Sequence, residues 1–142
     1  MNCGFAGAVR ARIPVGNASA IAVVRRHVRE LGREAGLSDA AVAALATAAT
    51  EIARNIVTHA GHGEVLLGMA VDGLRRGVMI VARDDGPGIP DLAHAMKDGY
   101  TTTGGLGFGL PGARRLVDDF EVASSSGAGT TVRMTKWVSA ES

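Results

Sequence analysis

Apolar residues recur along this chain with two different periods, and the switches between them mark its elements. Residues 7–15, GAVRARIPV, alternate: Val9, Ala11 and Ile13 stand against Arg10 and Arg12, which predicts a half-buried strand. From Ser19 to Glu34 the spacing becomes helical. Ile21, Val24, Val28 and Leu31 form one stripe, Asn17 and Ser19 are candidate caps, and Gly36 is the stop. Ser38 opens a second, alanine-rich helix reaching about Ala60, with Val42, Leu45, Ala49, Ile52, Ala53 and Ile56 on its core stripe. Residues 64–71 and 77–83 read as a hairpin around DGLRRG. DDGPGIPDLAHAMKDGY then predicts a turn and a short helix starting at Pro90. After a glycine-rich segment, a helix runs from Leu110 or Pro111 to Asp118 or Asp119. Two last strands, 120–124 and 130–137, are joined by SSSGAG.

Helices early and hairpin-linked strands later predict an α+β fold. The expected form is a two-layer sandwich whose mixed, mostly antiparallel sheet carries its helices on one face, as a single domain over residues 1–142. Composition sharpens this. The chain is 46% apolar and only 4% aromatic, so the core should be aliphatic. A net charge of +1 offers no groove for a polyanion, so no nucleic-acid partner is expected. The one cysteine, Cys3, supports neither an internal disulfide nor a cysteine-rich zinc site. No apolar run approaches the ~18 residues of a membrane span, and a cytoplasmic protein without a membrane partner is expected.

The second helix carries a polar stripe. At roughly 100° per residue, Glu51 lies on the side away from the core stripe, with Asn55 and Thr58 beside it. A plain solvated face would also give E-x-x-x-N. The turn before Glu51, however, holds Ala44, Thr47 and Ala48 instead of long charged residues, which suits close approach of a flat or bulky ligand. A carboxylate and an amide one turn apart suit phosphate chemistry. The amide oxygen ligates Mg²⁺, which takes few protein ligands, and the carboxylate orients or deprotonates a hydroxyl. Arg54 reads as a surface arginine, with pairing to a phosphate or a partner acid as the other reading.

Asp84 ends an apolar strand and opens Asp-Asp-Gly-Pro-Gly. Taken as a plain turn, those residues need no ligand. Taken as a site, Asp84 accepts a hydrogen bond from an exocyclic amine such as adenine's, while Gly86 and Gly88 let backbone lie against a ring. Residues 107–112, GFGLPG, match G-x-G-x-x-G, but they follow polar Thr101–Thr103 and precede acids that come too early for a dinucleotide fold. Neither lysine, Lys97 nor Lys136, stands where a P-loop requires it. What remains is a soft segment feeding a helix whose free N–H groups favour phosphate oxygens. In GAGTTV, Thr130 or Thr131 offers a hydroxyl beside the ring, or simply belongs to a hairpin turn.

These four signals stand in one order: E-x-x-x-N, D-x-G-x-G, a segment ending G-x-G-x-G-L, and G-x-G-T. Together they resemble the Bergerat ATP-binding fold of the GHKL superfamily. EIARNIVTHAG, GLGFGLPGARRLVDDFEV and GTTVRMTKW resemble most closely its anti-sigma-factor kinase group, of the stressosome switch type. That resemblance implies Glu51 as general base and Asn55 as Mg²⁺ ligand. It implies Asp84 as the adenine-reading acid, with Gly86 and Gly88 beside the ring. Gly105, Gly107, Phe108, Gly109 and Leu110 would form the lid hinge and phosphate contacts, and Thr130 the last box. It further implies Mg-ATP as the bound pair, serine/threonine kinase activity, STAS-domain scaffold or antagonist proteins as substrates, and a PP2C-type phosphatase as a partner to activate. Two other readings remain at this point: an anti-sigma factor that binds a sigma subunit, and a nucleotide-regulated binding module without transfer.

Overall fold

The computed structural model describes residues 5–89, 109–124 and 127–139. Strand β1 (Ala11–Val15) leads into α1 (Ala18–Ala35) and α2 (Asp39–Asn55). A π-helical turn, Ile56–Ala60, prolongs α2. Then come β2 (Gly63–Asp72), β3 (Arg75–Asp84), α3 (Leu110–Leu116), β4 (Asp119–Ser124) and β5 (Thr130–Trp137). The sheet order is β1-β2-β3-β5-β4, and all four pairs are antiparallel, so among the described residues the expected mixed sheet is uniformly antiparallel. Pro14, which lacks an N–H, is tolerated because β1 is an edge strand.

Local chemistry sets the helix ends. Asn17 accepts from the Ala20 amide and Ser38 from the Ala41 amide, each satisfying one of the donors a helix start leaves over. Gly36, at φ 100°, closes α1 in the left-handed conformation that glycine adopts without a Cβ penalty. The predicted stripes hold: Ile21, Val24, Val28 and Leu31 from α1, and Val42, Leu45, Ala49, Ile52 and Ala53 from α2, are buried against the sheet. Ala48 is also fully buried, so it belongs to the core and not to the Glu51 face. The last helix ends at Leu116, short of Asp118, whose amide already bonds Thr135 O alongside the sheet. Residues Asp39–Ala60 are long and apolar enough to cross a membrane by composition, yet half of that stretch is packed inside the protein, as in a core helix.

The back of the sheet carries a second, smaller apolar cluster: Phe5, Leu66, Ala70, Met79 and Val81. The segment before β1 covers it, held by Ala6 N to Met69 O and Arg10 N to Leu67 O. Val9 packs in this cluster whereas Ile13 faces the helices, so the expected strand over 7–15 changes sides before Ala11. Phe5 needs Gly68 beneath it: a Cβ there would stand 2.5 Å from Phe5 Cδ1.

Glu64 on β2 bridges its neighbours, accepting from Arg83 Nε at 2.6 Å and Arg12 Nη1 at 3.0 Å. The Arg83 hydrogen bond, opposed by partial desolvation and aided by both positive charges, holds its carboxyl below the ordinary glutamate value. A depressed pKa stabilises the fold above the unfolded value, near 4.3, and the benefit is lost as pH falls through the folded value. Glu64→Gln is therefore expected to lower the urea midpoint at pH 7. The gap to the parent should close progressively below about pH 4.3.

Candidate functional site

Asn55 closes α2, and the π-helical turn follows at once. That turn widens the helix by one residue, as Gly61 N reaches back to Ile56 O at 2.8 Å, and brings His59 and Ala60 toward β3. The expected α-helix through Ala60 thus ends in a different geometry. Gly86 explains why the close approach is possible: a Cβ there would lie 2.6 Å from Ala60 Cβ.

Asp84 sits at the end of β3, paired in register with Gly63 of β2 and Thr130 of β5. Its Oδ1 accepts the Gly86 amide at 2.9 Å, which fixes the carboxylate. Its other oxygen has no partner among the described residues. Gly88, at φ 77°, turns the chain so that Ile89 returns to the core. Ile89 N and Thr130 Oγ1 both lie 2.8 Å from Ser124 Oγ, so one hydroxyl ties the turn after β3 to the β4–β5 end.

These groups surround one narrow cavity of about 30 Å³, open to solvent. Ile52, Ile56, Ala82, Ile89, Leu110 and Val132 make apolar walls, and Asn55, His59, Asp84 and Thr130 are its polar groups. Gly88 lines it too. Glu51 stands one turn before Asn55, its side chain 39% exposed, with Oε1 accepting from Arg54 Nη1 at 2.9 Å. Arg54 is thus an exposed arginine that pairs with an acid on its own helix.

Gly109 brings α3 against Glu51. It lies at φ 67°, and a Cβ built on it would be 2.8 Å from Glu51 Oε2. Gly109→Ala combines a left-handed alanine, costing about 1–2 kcal/mol, with a push on that carboxylate. The expected result is a lower melting temperature, read by thermal denaturation.

The structure thus brings Asn55, Asp84, Gly88, Leu110 and Thr130 to one cavity, with Glu51, Gly86 and Gly109 at its border. Gly105, Gly107, Phe108 and Lys97, and the helix expected after Pro90, lie outside the described residues. Sequence reasoning missed His59 and Ser124. His59 stands one turn beyond Asn55, and Ser124 pairs in register with Thr130, so helical and strand periods carried both signals.

An apolar slot with one anchored acid and a glycine-opened edge suits a flat heteroaromatic ring. The two-layer architecture is of the class that histidine kinase-like ATPase domains share. The chain matches the family described as "Histidine kinase-like ATPase domain" over residues 15–136 and belongs to it. It is 42% identical to the serine/threonine-protein kinase RsbT of Bacillus subtilis over 118 residues, covering 83% of this chain and 89% of that one. It is 32% identical to the anti-sigma F factor of Caldanaerobacter subterraneus over 68% of this chain and 71% of that protein. In fold it resembles the RsbU and RsbW domains of Rv1364c from Mycobacterium tuberculosis, with a TM-score of 0.54 at 21% identity. That match covers 91% of this chain and 33% of the longer one. The catalytic domain of histidine kinase ThkA aligns with a TM-score of 0.51 at 14% identity, over 89% of this chain and 95% of that domain.

Proposed function

We propose that this chain, acting as one domain over residues 1–142, uses Mg-ATP to phosphorylate serine or threonine on STAS-domain scaffold or antagonist proteins. It thereby switches partners in a stress-responsive sigma-factor pathway. The observation that carries the reading is the 42% identity to a serine/threonine-protein kinase along nearly its whole length. The chain is accordingly an ATP-dependent serine/threonine kinase of the partner-switching type. Cytoplasmic location and activation of a PP2C-type phosphatase after release from a scaffold complete the proposal.

The residues fit the nucleotide. Asp84 offers its second oxygen to the adenine amine, and the narrow approach of Gly86 to Ala60 and the turn at Gly88 keep backbone close to the ring. Among the described residues no cluster of three or more His, Cys, Asp or Glu groups forms a metal cage. Mg²⁺ would instead be held by phosphate oxygens, water and the Asn55 amide oxygen. Bound there, the metal neutralises phosphate charge. Glu51 holds the incoming hydroxyl and takes its proton. The hydroxyl oxygen forms the new bond to the γ-phosphorus, the bond to the β–γ bridging oxygen breaks, and ADP leaves. Arg54 keeps Glu51 turned toward the α3 end of the site. By the family resemblance Gly105, Gly107, Phe108, Gly109 and Leu110 are assigned to nucleotide contact, and Thr130 borders the ring.

Incubation with labelled ATP, magnesium and purified STAS-domain proteins is expected to label one of them on serine or threonine. ATP binding without any labelled protein would instead favour the nucleotide-regulated binding module. The anti-sigma likeness supports a second reading, in which a sigma subunit co-purifies with the chain.

A further inference from the structure

The outer surface of the helical layer carries a charge pattern that nucleotide binding does not use. α1 and α2 lie side by side and antiparallel. Arg25 Nε donates to Thr50 Oγ1 at 3.2 Å, and a Cβ at Gly32 would sit 3.1 Å from Val42 Cγ2. Arg25, Arg29 and Arg33 follow one another at one-turn steps along the flank of α1 that borders α2. Arg26 and Arg10 are neutralised by Glu30 and Glu34. Arg29 and Arg33 have no ion pair or hydrogen-bonded partner among the described residues. Between this row and Glu51, the exposed residues of α2 are Asp39 at its start, then Ala40, Ala43 and Thr47; Asp39 is the one charged group among these four and has no ion pair with the arginines among the described residues. The result is a shallow trough, basic along one rim, that leads to the Glu51 carboxylate.

We infer that this trough docks the phosphoacceptor protein through an acidic helix laid along α2, whose end presents the serine or threonine to Glu51. The inference rests on the kinase reading, because only a transferred phosphoryl group requires a protein hydroxyl at Glu51. The occupant follows from charge and size. Arginines one turn apart match carboxylates one turn apart on a facing helix. The alanine floor admits a helix backbone closely, whereas longer side chains would hold it off. A nucleic acid fits less well, since its phosphates would meet the Glu51 carboxylate at the end of the trough and the chain carries a net charge of only +1.

The test uses the full chain, a panel of purified STAS-domain proteins, and the double variant Arg29→Glu/Arg33→Glu. Both positions are exposed and outside the nucleotide cavity, so the thermal midpoint and ATP affinity should stay unchanged. kcat/KM for the labelled protein should fall at least about tenfold, mainly through KM, and the parent's value should drop with added salt while the variant's hardly moves. Calorimetric binding of the same STAS protein in the presence of ADP reads docking without transfer, and should weaken by a similar factor. Equal kcat/KM and equal binding in parent and variant would overturn the docking surface and leave the kinase standing. Binding that depends on the two arginines, with no phosphoprotein formed by the parent, would remove the kinase reading and retain the surface. A parent that binds no STAS protein, or a duplex DNA shift lost in the variant while STAS binding is unchanged, overturns it outright.

Discussion

Glu51→Ala is expected to reduce phosphoryl transfer by about 10²- to 10⁴-fold, the usual worth of a positioned general base. ATP binding should survive, and the reason lies in the placement of this side chain. Glu51 borders the cavity without lining the ring slot, and its contacts are Arg54 and the start of α3. Removing it takes a negative charge from beside the triphosphate and leaves the Asp84 end untouched. The measurements are labelled transfer to a STAS-domain protein and calorimetry with ATP. A variant that transfers as fast as the parent would show that the proton goes elsewhere and that the Glu51–Arg54 pair serves only structure.

The second large effect belongs to the far end of the slot. Asp84→Asn should weaken ATP binding by roughly 1–3 kcal/mol, or about 5- to 150-fold, the scale of a charge-assisted hydrogen bond lost in a sheltered site. The substitution keeps an oxygen for the Gly86 amide, so the turn after β3 should hold its shape. The amide's NH₂ group would then face the adenine amine, donor against donor. The same NH₂ suits the O6 acceptor of guanine, so the preference for ATP over GTP should narrow. Calorimetry with both nucleotides checks this. Unchanged ATP affinity would mean that the carboxylate does not read the base.

Much of this was legible in the sequence, for a physical reason. Burial repeats with the period of the element, so the stripes of α1 and α2 and the β2–β3 hairpin follow from spacing alone. The convergence of Asn55, Asp84 and Thr130 was legible only through motif order, since β3 and β5 are joined in register across 45 or more intervening positions. Other features were set by tertiary contacts that leave no periodic trace. The π-helical turn sets Ala60 against Gly86, where a Cβ would not fit. Ala48 looks like a ligand-facing small residue by wheel position, yet it is buried in the main core. Val9 and Ile13 obey one alternation, but the chain bends between them and sends them to opposite layers. Ser124 ends the strand expected over 120–124, and only its pairing across the hairpin places it opposite Thr130.

The small cluster behind the sheet has a practical side. Phe5 plugs a flat surface of Leu66, Ala70, Met79 and Val81 from one short stretch of chain. Withdrawing that plug would bare a sheet face wide enough to stick to its own copies. Purification handles therefore belong at the carboxyl end, and a preparation clipped ahead of Ala11 should be checked for self-association before any loss of activity is blamed on its nucleotide chemistry.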